Sequence, residues 1–193
     1  MCHRKSMALR IALPALLVLA SGCALSPQTV NIHPALDISR LSSRAQGTSI
    51  ALAVSDARSN RVVGYRGGVY ATASITTDAN LSAAVRTELA RALGKLGYRV
   101  VDDGANADIA LSVELAGLGY KVTEDRVTRT IETTATVRGR STAGSITRTG
   151  EYRDRRTKEV VKAPSEADNE ELLNQVLSAV LQRLVSDPDL LKF

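Results

Sequence analysis

The chain has 193 residues, of which 44% are hydrophobic and 3% aromatic, with 25 Lys and Arg against 20 Asp and Glu. This length suffices for one globular domain with its own core. Three of the basic residues and none of the acidic ones lie in the first 22 residues, so the remainder carries 22 basic against 20 acidic residues. This near balance removes the electrostatic argument for nucleic-acid binding, and we predict none.

The first 22 residues have the pattern of a secretory signal peptide. A basic start precedes an apolar stretch over residues 11–20, and small residues follow it. The stretch is about half as long as the ~20 residues that cross a bilayer. It ends in the sequence LASGC at residues 19–23, which resembles the lipobox of bacterial lipoproteins. We therefore predict that residues 1–22 are removed and that Cys23 is lipidated, with palmitate among its acyl chains.

Lipidation of Cys23 has consequences for location and for cysteine chemistry. Ala24, and not an aspartate, follows the cysteine. In enteric-type bacteria this predicts a lipid-anchored protein of the outer membrane whose domain faces the periplasm. Cys2 leaves with the signal peptide, so no thiol remains for a disulfide. These expectations hold whether translation starts at Met1 or at Met7.

The sequence after the lipobox predicts a tether and then one domain. Residues 23–47 contain two prolines, several serines and scattered apolar residues, which is typical of an extended linker. A single α+β domain is then predicted over residues 48–193. Residues 49–54 alternate between apolar and polar, which indicates a strand. The glycine-containing segment 65–70 predicts a turn between two short apolar runs, which favours a hairpin.

Two later segments have the apolar periodicity of amphipathic helices. The first covers about residues 79–96, with Asp78 as its expected N-cap. The second covers 166–185, and Ser165 with Asp168 resembles a capping box at its start. Both apolar stripes are wide enough to pack against a sheet.

The segments between the helices predict strands. Residues 98–101 form a short one, and residues 108–122 form a long one whose alternation slips by one position, so a bulge is expected at 116–117. Residues 127–137 alternate with one polar face, as in an antiparallel strand, and 145–160 follow as the last strand. The order predicts an α+β two-layer sandwich, with two amphipathic helices on one face of a mainly antiparallel sheet.

Few side chains after the signal peptide suit catalysis. His33 is the only histidine there and lies in the predicted tether, and no metal-ligand spacing is present. We therefore predict no enzymatic activity, no catalytic residues, and neither a metal nor a cofactor. Asp56 and Arg58 follow the first strand directly. They are our candidates for contact with a ligand or partner, although such a pair more often fixes a loop by an ion pair.

A basic cluster closes the last predicted strand. Arg153, Arg155, Arg156 and Lys158 lie within six residues of one another. Two interpretations remain open for this cluster. It could contact anionic lipid headgroups or lipopolysaccharide, or it could be the solvated end of a strand.

Several short motifs resemble the YajG-type lipoproteins of Gram-negative envelopes. Besides the lipobox, they are VSDAR at residues 54–58, LGKLGY at 93–98 and LGYKV at 118–122. The resemblance covers essentially the whole chain. It implies a lipid-anchored envelope domain of the outer membrane, and the family supplies no catalytic residues to carry over.

Three functions are compatible with these features. The first is a binding or accessory module that acts through contacts with an unidentified envelope protein. The second is an auxiliary component of lipid or lipopolysaccharide transport, which an exposed apolar groove flanked by the Arg153–Lys158 cluster would favour. The third is a carboxylate-based envelope hydrolase, which a deep pocket with two acidic groups of shifted pKa would favour.

Replacement of the lipobox cysteine tests the anchor. The Cys23→Ser protein is expected to accumulate as an unlipidated precursor or a soluble form, because serine lacks the thiol that carries the lipid. The protein then loses the acyl chains that anchor it, each buried methylene of which contributes about 0.8 kcal/mol. Fractionation on a density gradient should place the unchanged protein with the outer membrane. Unaltered membrane partition of a correctly cleaved Cys23→Ser protein would contradict the prediction.

Overall fold

Eight strands and two helices make up the part of the chain that the computed structural model describes, residues 25–67, 72–102 and 106–193. A single turn of 3-10 helix at Ile38–Arg40 lies between the first two strands. The elements are β1 (Gln28–Val30), β2 (Ser49–Asp56), β3 (Val62–Tyr65), β4 (Ser74–Thr77), α1 (Leu81–Lys95), β5 (Arg99–Val101), β6 (Ile109–Glu124), β7 (Arg129–Ala143), β8 (Ile146–Val160) and α2 (Glu166–Ser186).

The long strand β6 organises one mixed sheet. Along one edge it pairs antiparallel with β7, which in turn pairs antiparallel with β8. Along its other edge it pairs in parallel first with β2 and then with β3. The sheet is extended by β5 beside β2, and by the β4 and β1 strands beside β3. The predicted α+β sandwich is confirmed: the longest pairings are antiparallel, and the parallel ones lie on the other side of β6.

The bulge expected in the long strand is present. Leu115 pairs with Val137, and the next paired residue on β6 is Gly117, opposite Thr136. The extra residue between these pairs restores the inward orientation of the strand, so that both Leu115 and Leu118 are buried. The antiparallel pairing of the predicted hairpin is also present, since β3 pairs with β4. Residues 68–71 of the predicted turn lie outside the described residues.

Both helices pack on the same face of the sheet. The first, α1, contacts β2 and β5, whereas α2 contacts β7 and β8. The predicted capping box at Ser165 and Asp168 is confirmed. The start of α1 differs from the prediction, because Asn80, and not Asp78, occupies the N-cap position. The core at the helix–sheet interface includes the fully buried Leu89, Leu93, Val176, Leu177, Val180 and Leu181.

The segment predicted as a tether differs from the prediction. From Gln28 onward, much of residues 23–47 packs against the domain, and Val30, Ile32 and Leu36 are buried. Its backbone also binds α2, since the Ala35 N–H donates to Ser178 Oγ at 2.9 Å. The folded unit therefore begins no later than residue 28, not at 48. The physical reason is that alternate residues of this extended segment are apolar and face the core.

A pair of glycine substitutions tests the fit between β3 and β6. A Cβ on Gly64 would lie 1.8 Å from the carbonyl oxygen of Tyr120. The Gly64→Ala protein should therefore be destabilised by roughly 1–3 kcal/mol, as in other overpacked sites. Urea unfolding measures the change.

Gly94, inside α1, is the matched control because a Cβ there meets nothing within 4 Å. Gly94→Ala should stabilise the protein by about 0.5–1 kcal/mol through the higher helix propensity of alanine. Equal urea-unfolding midpoints for Gly64→Ala and Gly94→Ala would contradict the close approach of β3 to β6.

Candidate binding surfaces

The predicted lipid attachment site, Cys23, lies outside the described residues. Within the described ranges, none of the helices combines the length and apolarity that crossing a bilayer requires. The same ranges hold no group of three or more His, Cys, Asp or Glu side chains arranged to bind a metal ion.

Asp56 and Arg58 form a bidentate ion pair at the end of β2. Arg58 Nε donates to Asp56 Oδ1 at 2.8 Å, and Nη2 donates to Oδ2 at 2.7 Å. The same Nη2 donates to Thr77 Oγ1 at 2.9 Å, which ties the end of β2 to the end of β4. The Arg58 side chain is only 6% exposed. The geometry is that of a loop-fixing pair, and a role in ligand or partner contact stays a prediction.

The electrostatics of this pair follow from its geometry. The hydrogen bonds from the Arg58 guanidinium lower the pKa of Asp56, although partial burial acts in the opposite direction. A depressed pKa means that the folded state favours the ionised carboxylate. The pair therefore stabilises the fold above the ordinary aspartate pKa, and this contribution is lost as pH falls through the lower folded-state value.

The side of β6, β7 and β8 opposite the helices is not covered by either helix and is here called the open face. Strand register places polar side chains across it in rows, for example Ser112, Arg140 and Thr149. Threonines occupy many of the remaining positions of β7 and β8. Because both helices lie on the other side of the sheet, this face is open to solvent.

Ion pairs connect the three strands of the open face. Arg138, in the middle strand, contacts Glu114 on β6 and Glu151 on β8, each at 2.9 Å. The hydrogen bonds that Arg138 donates to these two carboxylates raise its own pKa and lower the pKa of Glu151. Farther along the strands, Arg155 pairs with Glu132. The open face thus presents positive and negative side chains whose positions are fixed by ion pairs between the strands.

The predicted basic cluster is divided between the two faces of β8. Arg153 and Arg155 project onto the open face, whereas Arg156 and Lys158 lie on the helix side, as the alternation of a strand requires. The cluster is therefore not a single cationic patch. Two of its members meet carboxylates of the open face, and the other two line a depression beside α2.

This depression, the α2–β8 groove, has a volume of about 440 Å³. Its floor is apolar, because Ile131 and Leu172 contribute to it, and its rim carries the cations Arg156 and Lys158. The guanidinium of Arg156 also contacts Asp154 at 3.2 Å. The groove is lined by Ile131, Thr133, Arg156, Thr157, Lys158, Leu172 and Gln175.

A buried hydroxyl without a hydrogen-bond partner distinguishes the groove. Thr133 is 1% exposed, and its Oγ1 bonds to no described residue. Tyr120, opposite Thr133 on β6, also has an unpartnered hydroxyl, and burial raises its pKa to about 12. An unpaired buried hydroxyl costs free energy unless a ligand or water satisfies it. Thr133 was not among the sequence-predicted site residues, although its inward position follows from the alternation of Ile131 and Ala135.

A second cavity, of about 510 Å³, lies at the opposite end of the sheet. Several of its polar groups are already bonded within the protein. Tyr98 Oη donates to the Leu191 carbonyl at 3.0 Å, and Arg44 Nη2 donates to the Val185 carbonyl at 2.9 Å. Asp108 accepts from the backbone of Ser49 at 2.8 Å. These three groups are therefore already engaged in holding the fold.

Comparison with known families identifies the type of protein. Residues 34–193 match the model of the Lipoprotein_16 family, described as uncharacterized lipoproteins. The chain belongs to this family. The match begins within the segment that packs against α2, in agreement with a folded unit that starts before residue 48. No curated protein resembles this lipoprotein closely enough in sequence to count as a match.

The solved structures that match this chain are distant from it in sequence. Protein XCC0632 from Xanthomonas campestris is 13% identical with a TM-score of 0.50, over 84% of this chain and 92% of its own. A neuraminyllactose-binding hemagglutinin homologue from Helicobacter pylori is 11% identical with a TM-score of 0.49, over 81% and 90%. Lipoprotein GNA1162 from Neisseria meningitidis is 14% identical with a TM-score of 0.36, over 72% and 99%. At such identities the likeness to XCC0632 shows the fold alone.

Removal of the Asp56 charge tests the loop-fixing pair. Asp56→Asn should lower the free energy of unfolding at neutral pH by roughly 1–3 kcal/mol, the range for hydrogen bonds to charged groups. The difference from the unchanged protein should be constant above about pH 5 and should shrink below the ordinary aspartate pKa of about 3.9. Urea titrations across this pH range measure it. A difference that grows on acidification would contradict the assignment.

Proposed function

We propose that this lipoprotein is a non-enzymatic accessory module of the outer membrane, anchored through Cys23 with its domain in the periplasm. It acts by binding another envelope protein through the open face. The observation that carries the proposal is the size of that face and the ion pairs that connect its three strands. The lipobox and the family membership support the anchored location, because both belong to lipoproteins.

The dimensions of the open face suit a protein partner. Strands of 15 or 16 residues at ~3.4 Å per residue span about 50 Å, and three strands about 4.8 Å apart cover about 14 Å. The resulting area of about 700 Å² is close to the ~800 Å² that each partner contributes to a standard interface. At its centre, around Arg138, the open face has a depression of about 440 Å³ that Glu114 and Glu151 also line.

The ion pairs of the open face also favour a binding role. Arg138 and Arg155 are largely exposed, and exposed ion pairs contribute little to folding stability. Ordered charges of both signs can instead orient a partner and exclude wrong ones. We therefore assign Arg138, which contacts two carboxylates, as the centre of the proposed interface.

Site-specific photo-crosslinking in intact cells tests the interface. A photoreactive residue at Ser112 or Thr149, both exposed on the open face, should give a defined adduct with one envelope protein. The same residue at Thr87, exposed on α1, is the matched control and should not. Arg138→Glu should reduce the Ser112 adduct through like-charge repulsion with Glu114 and Glu151. Equal adducts from Thr87, or none from Ser112 and Thr149, would contradict the proposal.

The α2–β8 groove favours a second candidate function, the binding of an anionic amphiphile in lipid or lipopolysaccharide transport. The apolar floor of Ile131 and Leu172 would contact acyl carbons, and the Thr133 hydroxyl would donate to a headgroup oxygen. Arg156 and Lys158 would neutralise its charge. For a carboxylate hydrolase, the groove lining contains no acidic residue. The two carboxylates of the depression on the open face, Glu114 and Glu151, both pair with Arg138.

Calorimetric titration with monomeric lysophosphatidylglycerol tests this candidate in the Cys23→Ser protein, with zwitterionic lysophosphatidylcholine for comparison. Neutralising both groove cations, in Arg156→Gln with Lys158→Gln, should weaken binding by about tenfold, which is 1.4 kcal/mol. Arg153→Gln with Arg155→Gln removes the same charge from the open face of the same strand and should leave the affinity unchanged. Equal losses from both pairs would indicate only a nonspecific charge effect.

A further inference from the structure

The folded domain begins very close to the predicted lipid anchor. Arg66, which is largely buried, donates from Nη1 to the carbonyl of Ser26 at 2.9 Å and from Nη2 to the carbonyl of Pro164 at 3.0 Å. The chain is therefore attached to the domain from Ser26 onward. Cys23 lies three residues earlier, so the two Cα atoms are at most ~11 Å apart even at full extension. A linker of this length holds the domain against the bilayer.

The end of the domain that holds Ser26 is defined by several neighbouring loops. Pro164 lies in the connection from β8 to α2. At the end of β8, Val160 pairs with Arg129, the first residue of β7. The turn between β6 and β7 is thus beside the β8–α2 connection. A Cβ on Gly67, next to Arg66, would contact the Glu124 carboxylate at the end of β6, so the chain just after β3 lies there as well.

Exposed apolar side chains mark this end of the domain. Val127, in the β6–β7 turn, is 74% exposed, and Val161, just after β8, is 70% exposed. They are the two most exposed large hydrophobic residues in the described ranges. Each has a basic neighbour in sequence, Arg126 and Lys162 respectively. A valine beside a cation is suited to the boundary between acyl chains and headgroups.

We infer that this anchor-proximal end docks directly on the bilayer that holds the Cys23 lipid, with Val127 and Val161 in the interfacial region. The inference rests on the lipidation of Cys23 in the proposed function. Arg126 and Lys162 then reach the phosphates of the headgroups. Two acidic residues lie beside Val127 in this turn. Glu124 is paired with Arg129 at 3.3 Å, which reduces its repulsion from an anionic surface, and Asp125 Oδ1 accepts from the Arg126 N–H at 2.7 Å.

Spin labels on the lipidated protein test the docking. The protein is purified from membranes and reconstituted in vesicles of phosphatidylethanolamine and phosphatidylglycerol. A single cysteine is introduced as Val127→Cys or Val161→Cys. Ile146→Cys is the matched control, because Ile146 is an exposed β-branched residue, 52% accessible, at the opposite end of β8. Labels at 127 and 161 should lose accessibility to an aqueous nickel chelate and gain accessibility to oxygen, whereas the label at 146 should not.

Mass spectrometry of the same preparations tests the lipidation of Cys23 separately from the docking of the domain. If Cys23 carries no lipid, the anchored function proposed above fails. If Cys23 is lipidated but labels at 127 and 161 are as accessible to nickel as the label at 146, the docking inference is overturned and the anchor stands. Circular dichroism of each variant confirms that these exposed substitutions leave the fold intact.

Discussion

The fold depends on one constraint in β6, namely that a strand alternates its side chains between two faces. This strand pairs with β2 and β3 on one edge and with β7 on the other, so its orientation sets that of the whole sheet. Its sequence reverses phase between Leu115 and Leu118. Without the extra residue Ala116, one half of the strand would turn its leucines to solvent. The bulge therefore keeps one continuous apolar surface beneath both helices.

The elements with strong local signals were predictable from the sequence. The capping box at Ser165, the stripe of α2 and the phase slip at Ala116 each depend on neighbouring residues only. The order of the strands was not predictable, because the parallel pairing of β6 with β2 and β3 joins segments far apart in the chain. The packing of residues 28–45 was missed for a related reason. Its alternation of Val30 and Ile32 is short and is interrupted by proline, as in many linkers.

The candidate surfaces also combine features that the local sequence predicts with features that depend on distant segments. The ion pair of Asp56 and Arg58 could be expected from their spacing, but its burial depends on Thr77 of a distant strand. The cluster at Arg153–Lys158 was visible as a run of charges, whereas its division between the open face and the α2–β8 groove required the register of β8. The groove also needs Thr133 and Leu172, which only the packing of α2 on the sheet brings together.

The Arg66 contacts described above also have a mechanical consequence. Arg66 joins the chain near its predicted anchor to Pro164, at the start of the last helix, so two segments 138 positions apart in sequence meet at one guanidinium. Any pull exerted through the lipid first reaches this junction and then β1. Because β1 pairs in parallel with β4, a pull along β1 loads its hydrogen bonds together in shear. Tension from the envelope would thus pass into the edge of the sheet and also into α2, because the Asn31 N–H, just after β1, donates to Glu170 at 2.7 Å.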